Sequence, residues 1–268
     1  MPELPEIETL ARELKGKLVG LVLSKVLIRR RSVLKTPPGE FRAGVAGRKI
    51  ISVARRAKFL GVEFEDHTRL WFHLGMTGQL LWRPEPGPAE RHTHLIFEFK
   101  GTAARLLFRD IRRFGGVLFE KKPLRVFERF GPDPFEMDGA DFFRIFKGRK
   151  ATIKSLLLNQ ALVSGLGNIY ASESLFRAGI RPLRRALRIT RSQFETLHEA
   201  VCLTLRESIR EGGSSIDDYV RSDSSRGEFQ RFHKVYGRAG EPCRKCASTI
   251  RQVRIGGRSS FFCPRCQA

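Results

Sequence analysis

The chain has 268 residues, enough for two domains with cores of their own, and carries 50 lysines and arginines against 28 acids, a formal net charge of +22. The excess is not a tail: residues 1–135 hold 26 basic and 15 acidic residues and residues 136–268 hold 24 and 13, so each half is +11, which suits a polyanionic partner met by both halves. No run of 18 apolar residues occurs, which excludes a membrane-spanning helix, and an acidic N-terminus without an apolar stretch argues against a secretory signal peptide.

The chain opens Met-Pro-Glu-Leu-Pro-Glu-Ile-Glu. Removing Met1 leaves Pro2 as a secondary amine beside the Glu3 carboxylate. An α-amino group titrates at about 7.7–8.0, so much of it is nucleophilic near neutral pH. A secondary amine that attacks a sugar carbon can form only a cationic iminium, an electron sink comparable to the lysine Schiff base. The plainer reading is a helix start, where prolines and acids are common. Ile7, Leu10, Ala11 and Leu14 then predict a helix over residues 5–16. Short β-like runs follow at Leu18–Leu27, Lys49–Val53, Phe59–Phe64, Arg69–Leu74, Leu95–Phe99, Arg105–Phe108 and Gly116–Phe119, a pattern that predicts an antiparallel β-sandwich.

Between these runs lie Arg55-Arg56-Ala57-Lys58, His73-Leu-Gly-Met76 and Arg112-Arg113-Phe114-Gly115. Taken alone, the first reads as a solvated strand edge, and Met76 and Phe114 read as core plugs; the alternative for the latter two is a wedge that enters a base stack. Gly131-Pro132-Asp133-Pro134 predicts a linker. The pattern then becomes helical at Ala140–Phe146, Thr152–Asn159, Asn168–Ala178 and Arg191–Glu211, with Cys202 beside the apolar stripe of the last as a small core residue. Gly165-Leu166-Gly167-Asn168 lets a backbone approach a ligand at a helix N-terminus, with Asn168 capping the helix or donating to a phosphate. Residues 214–232, rich in Ser, Asp and Gly, predict a mobile loop.

The sharpest pattern is Cys243-x2-Cys246-x16-Cys263-x2-Cys266, the spacing of a four-thiolate zinc site rather than of a disulfide framework. All four positions are cysteine, so the ion is structural, with no open position for catalysis. Arg251, Arg254 and Arg258 with Gly256-Gly257 lie between the pairs and predict a ribbon hairpin with a basic tip, solvated or placed on phosphate.

The ordered set Pro2–Glu6, Arg55–Lys58, His73–Met76, Arg112–Gly115, Gly165–Ser174 and Val235–Arg238 with the zinc ribbon closely resembles the formamidopyrimidine-DNA glycosylases, nearly end to end. The resemblance implies an α+β multi-domain fold: an N-terminal β-sandwich with a leading helix over residues 1–130, a helix-two-turns-helix domain with a lesion-covering loop over 131–238, and a zinc ribbon over 239–268. It implies excision of oxidised purines from damaged double-stranded DNA by a monomeric, cytoplasmic, nucleoid-associated bacterial enzyme with one structural zinc and no membrane contact. Pro2 resembles the nucleophile at C1′, Glu3 the acid that protonates the opening sugar, Lys58 a phosphate contact and proton donor in β-elimination, and Arg258 the ribbon arginine of δ-elimination. Met76, Arg112 and Phe114 resemble the triad that fills the gap left by a flipped base. His73, His92, Arg149, Lys154 and Asn168 resemble backbone contacts. The chain departs from the family pattern at Arg109-Asp110-Ile111 and at Ser214-Ser215-Ile216-Asp217. Two other readings compete: an endonuclease VIII-like glycosylase for oxidised pyrimidines, against which Leu4 and the Arg-Arg-Phe run speak, and a non-catalytic zinc-ribbon DNA-binding protein, which would not need Pro2, Glu3 and Lys58.

Overall fold

The structure, a computed structural model, describes residues 1–88, 90–121 and 125–268. It forms two compact units, one of residues 1–125 with 211–230 and one of residues 126–210 with 231–268.

The first unit begins with α1 (Leu4–Leu18), whose apolar stripe Ile7, Leu10, Ala11, Leu14 and Leu18 is buried. Glu3 is its N-cap, and the Glu6 carboxylate turns back to accept the Glu3 N–H (2.8 Å) in a capping box. The helix runs two residues further than its periodicity predicts and stops where Gly20 takes a positive φ; the chain then enters β1 (Leu23–Ile28), so the expected strand over Leu18–Leu27 starts five residues late. A short helix absent from the sequence reading, α2 (Pro38–Val45), begins at a proline and buries Phe41 and Val45. The remaining strands are β2 (Ile50–Arg56), β3 (Phe59–Phe64), β4 (Arg69–His73), β5 (Gly78–Arg83), β6 (Thr93–Phe99), β7 (Arg105–Asp110) and β8 (Gly116–Glu120).

These strands make two antiparallel four-stranded sheets, ordered β1-β6-β7-β5 and β2-β3-β4-β8. Their inner faces meet in one core. Leu95, Phe97, Leu106 and Phe108 come from the first sheet, and Leu60, Val62, Leu70, Phe72 and Val117 from the second. The Phe72 ring stands edge-on to Phe97 at 5.6 Å between centroids, an arrangement the ring quadrupoles favour. Strand β5, also unforeseen, is an edge strand, and residues 211–230 cover its free side: the Trp82 N–H donates to Ser222 O (2.7 Å).

The second unit holds α3 (Gly139–Phe146), α4 (Ile153–Leu157), α5 (Asn168–Arg177) and α6 (Arg191–Arg210), with α6 packed on α3 and α5. Asp138 caps α3 and Thr152 caps α4 through their side-chain oxygens. Cys202 is a buried residue of α6, as its place beside the stripe predicts. The Gly131–Pro134 segment is packed rather than linker-like. Gly131 N–H donates to Gln160 O (2.8 Å), a Cβ at Gly131 would meet Leu162 at 2.5 Å, and Asp133 is buried. The unit ends in the hairpin β9 (Arg251–Ile255) and β10 (Arg258–Phe262), turned by Gly256 and Gly257 at φ +55° and +77°. Two consecutive positive φ values define the two-residue hairpin turn that matches strand twist, which is why two glycines stand there.

Candidate active site and nucleic-acid interface

Pro2 and Glu3 are buried at the start of α1, and Glu3 is 3% exposed. The carboxylate that holds the Glu3 backbone, that of Glu6, is itself 1% exposed and accepts a second N–H, from Ser214 at 2.8 Å. One buried acid thus fixes both the residue beside Pro2 and the first turn of residues 211–230.

Lys58 occupies the two-residue turn between β2 and β3, after Ala57 in the left-handed region (φ 52°). Arg55 ties this turn down. Its guanidinium donates to Glu8 on α1 (3.1 Å) and to Ala57 O (3.3 Å). Lys58 is 7% exposed and Arg55 is similarly buried, so the run is not the solvated strand edge that its composition suggests. His73 pairs with Phe59 across β3 and β4, one residue from Lys58, and its ring lies 4.8 Å from that of Phe59. Burial, together with the Lys58 and Lys35 charges, holds His73 below the ordinary histidine range, so it is a neutral hydrogen-bonding ring at neutral pH.

Met76, Arg112 and Phe114 are brought together. The Arg112 guanidinium lies 4.5 Å over the Phe114 ring and 3.8 Å from Met76 Sδ. Phe114 is 54% exposed and Met76 half-buried, so neither is the core plug that the local sequence favours. A residue that the sequence reading passed over builds this cluster. Asp110, fully buried, accepts the Gly115 N–H (2.8 Å) on one oxygen and the Thr77 hydroxyl on the other; Thr77 Oγ1 in turn accepts the Arg112 N–H (3.0 Å). The two loops approach so closely that a Cβ on Gly75 would stand 2.6 Å from Gly115 N. In the sequence Asp110 stood only as the middle residue of Arg109-Asp110-Ile111, with nothing to mark its partners. His92 takes φ +66°, and its backbone carbonyl accepts the Asp110 N–H (3.1 Å). Burial and the Arg91, Arg109 and Arg113 charges push its ring below the ordinary range.

In the second unit, Arg258 leads β10 from the hairpin turn, exposed. The carbonyl of the next residue, Ser259, accepts from Asn168 Nδ2 (3.0 Å) and from Lys154 Nζ (3.4 Å), which also donates to Ser172 Oγ (2.8 Å). Lys154 is 0% exposed, and its ammonium engages this cluster. Asn168 does not cap α5: Gly167 stands at the N-cap, and the Asn168 amide serves the ribbon carbonyl. Arg149 is exposed just after α3, donating to Ile145 O at 2.6 Å. Glu173, buried on α5, accepts the N–H groups of Lys234, Val235 and Tyr236 at 2.8–3.0 Å and so secures the chain entering the ribbon.

The Sγ atoms of Cys243, Cys246, Cys263 and Cys266 lie within 4.8 Å of one another, with separations of 3.9 Å for Cys243–Cys266 and 3.5 Å for Cys246–Cys263. A tetrahedral ion about 2.3 Å from each sulfur sets them about 3.8 Å apart, so the set fits zinc. The Lys245 and Cys266 N–H groups each reach a sulfur at 3.4 Å. Hydrogen bonds from Ser248 draw the Cys246 thiol down to about 6, whereas burial and the neighbouring thiols push Cys266 up to about 12; a divalent cation relieves that conflict. The chain carries one structural zinc.

Three family models match in order: formamidopyrimidine-DNA glycosylase N-terminal domain over residues 1–117, formamidopyrimidine-DNA glycosylase H2TH domain over 130–220, and the zinc finger found in FPG and IleRS over 240–268. The chain belongs to the formamidopyrimidine-DNA glycosylase family. The formamidopyrimidine-DNA glycosylase of Solibacter usitatus is 46% identical over 270 residues, covering 100% of this chain and 99% of that one. Among solved structures, a Lactococcus lactis FPG mutant bound to Fapy-dG-containing DNA superposes with TM-score 0.91 at 34% identity, and L. lactis Fpg with abasic-site DNA with TM-score 0.90 at 33%; both cover 99% of each chain. The formamidopyrimidine-DNA glycosylase fold expected from the sequence is thereby the observed one.

Proposed function

We propose that this glycosylase is bifunctional, excising oxidised purines such as 8-oxoguanine and formamidopyrimidines from duplex DNA and then cutting the strand, through a Schiff base on Pro2. The observation that carries the reading is the buried Pro2-Glu3 pair at the start of α1. With Met1 attached the Pro2 nitrogen is an amide; its removal frees an amine beside the positive end of a helix, which disfavours the ammonium and favours the nucleophile.

Pro2 nitrogen bonds to C1′ as the glycosidic bond breaks and the base departs. Glu3 protonates the opening sugar, and the nitrogen is left as an iminium. The iminium acidifies the C2′ proton; its loss expels the 3′ phosphate, and a second elimination expels the 5′ phosphate. Lys58, buried beside His73, serves the phosphates and donates a proton in the first elimination. Arg258 binds phosphate and orients the second, since a guanidinium scarcely deprotonates. Phe114, Met76 and Arg112 occupy the space of the flipped nucleotide, with Arg112 on the orphaned base. Exposed Arg149, together with His73 and His92, contacts the DNA backbone; Lys154 and Asn168 act through the Ser259 carbonyl. The enzyme works as a monomer in the bacterial cytoplasm, and no helix among the described residues is long and apolar enough to cross a membrane.

Borohydride reduction on abasic duplex DNA tests the reading. The Met1-processed protein is expected to give a covalent adduct, and a preparation blocked in Met1 removal to bind DNA without forming one. A normal adduct yield from the blocked preparation overturns Pro2 as nucleophile.

A further inference from the structure

Residues 211–230 follow α6, the last helix of the second unit, yet belong to the first. Their two ends are closed on each other: Glu228 N–H donates to Glu211 O (2.9 Å) and Phe229 N–H to Gly213 O (3.0 Å). Gly227 sits in this neck, where a Cβ would stand 2.3 Å from Gly213 O. The result is a strap of the compact, closed-ended kind, and the mobile loop that its composition predicts is instead docked along α1 and the edge of β5.

Three attachments run down α1. At its start, Glu6 accepts the Ser214 N–H. Beyond that, the Tyr219 ring enters the sandwich core and its hydroxyl donates to Glu6 O (3.3 Å) and Gly212 O (3.2 Å). Burial and the Glu6 and Glu13 carboxylates push this phenol well above its ordinary value, so it remains a donor. At the far end, Glu13 accepts Arg221 Nε (2.5 Å) on one oxygen and both the N–H (3.0 Å) and the hydroxyl (2.8 Å) of Ser222 on the other, while the Lys17 ammonium donates to the same hydroxyl (2.8 Å). Ser214, Ser215 and Ser222 are buried, whereas Ile216 and Asp217 are exposed. An exposed apolar residue and an acid are therefore held two to three residues from Ser214, whose N–H shares the Glu6 carboxylate with Glu3.

We propose that Glu13, through its bonds to Arg221 and Ser222, is a positioning residue for base excision: it fixes the strap so that Ile216 and Asp217 bear on the departing base beside Pro2 and Glu3. The inference rests on the Pro2 reading above. A strap that touches the base matters only while a base is present, so the latch governs excision and leaves cleavage of abasic DNA nearly unaffected. No residue of the reaction lies on the latch itself, and Glu13 is separated from Glu3 by more than two turns of helix.

The test uses the full chain with Met1 removed, and single-turnover rates on two duplexes, one with a paired 8-oxoguanine and one abasic. Glu13→Gln and Arg221→Ala each remove charge-assisted bonds of the latch, so excision is expected to fall about tenfold or more while abasic cleavage stays within about twofold. The double variant should be no worse than either single, the mark of one shared interaction. Amide exchange at Ser222 and Ser214 should quicken in all three. Arg221→Ala, on the exposed side of the pair, keeps the test decisive if Glu13→Gln folds poorly. Equal losses on both substrates would overturn the proposal in favour of a general role in seating α1, and unchanged excision would overturn it outright. A parent protein that cleaves neither duplex would instead overturn the Pro2 reading, and this inference with it.

Discussion

Replacing Asp110 by asparagine probes how the wedge is held. In the structure the Asp110 carboxylate takes one hydrogen bond from each of two loops, the Gly115 N–H directly and Arg112 through the Thr77 hydroxyl. Asparagine has the same shape but can accept on one side only. Its amide nitrogen must face either the Gly115 N–H, two donors opposed, or the Thr77 hydroxyl, whose proton then loses its acceptor. One bond to a charged group is lost, about 1.5–3 kcal/mol, and a buried donor is stranded, about 1–3 kcal/mol, so roughly 3 kcal/mol is at stake. If that cost falls on the ordered state of the two loops, excision of a paired lesion drops about 100-fold, because each 1.4 kcal/mol is a factor of ten. Abasic DNA, already unstacked at the gap, should lose much less. Thr77→Val cuts only the Arg112 arm and should cost about tenfold on the paired lesion. Single-turnover excision and abasic cleavage, measured beside a thermal melt, check this. Wild-type excision by Asp110→Asn, or an equal fall on both substrates, would refute the claim that Asp110 acts through the wedge.

Three further outcomes follow from the geometry. Elemental analysis should find one zinc per chain, and Cys243→Ser or Cys266→Ser should release it and weaken DNA binding first, since the hairpin presenting Arg258 is built around the ion; full affinity in a metal-free variant would contradict this. Arg258→Ala should flatten the slope of log K against log salt by roughly one unit, as expected of one phosphate contact, whereas Phe114→Ala should leave the slope alone and slow excision of a paired lesion; a salt titration of each variant separates the two. Burial lowers His233 to about 4, against an ordinary 6.5. Above pH 6.5 it is neutral folded or unfolded and contributes nothing to the pH dependence. As pH falls from 6.5 to 4 only the unfolded chain takes the proton, so stability drops by up to about 1.4 kcal/mol per pH unit, roughly 3 kcal/mol in all. His233→Gln should therefore melt with a shallower dependence on pH across that window, and an unchanged slope would argue against a buried neutral ring.

The sequence by itself determined what depends on local spacing. Periods of 3.6 and 2 marked α1, α6 and most strands, because one face of each is buried in a core. Four cysteines at short spacing specified the metal, and two glycines specified the turn that puts Arg258 at the head of β10. Pro2-Glu3 was visible because its chemistry needs only a chain end and a neighbour. What the tertiary structure decided are the burials and pairings that join distant segments. Lys58 reads in the sequence as part of a solvated strand edge and Lys154 as a contact to the DNA backbone, yet both are buried, because Arg55–Glu8 draws in the turn that carries one and Ser172 with the Ser259 carbonyl engages the other. Strand β5 was illegible because the partner for its free edge lies about 140 residues away, at Ser222. For the same reason a Ser- and Gly-rich stretch read as mobile is a docked strap: its stability comes from the Glu6 and Glu13 carboxylates, which no pattern within the stretch can reveal. Asp110, an ordinary strand-end acid in the sequence, becomes the anchor of the wedge only when folding brings Thr77 and Gly115 onto its two oxygens, since a hydrogen bond depends on distance in space and not on separation along the chain.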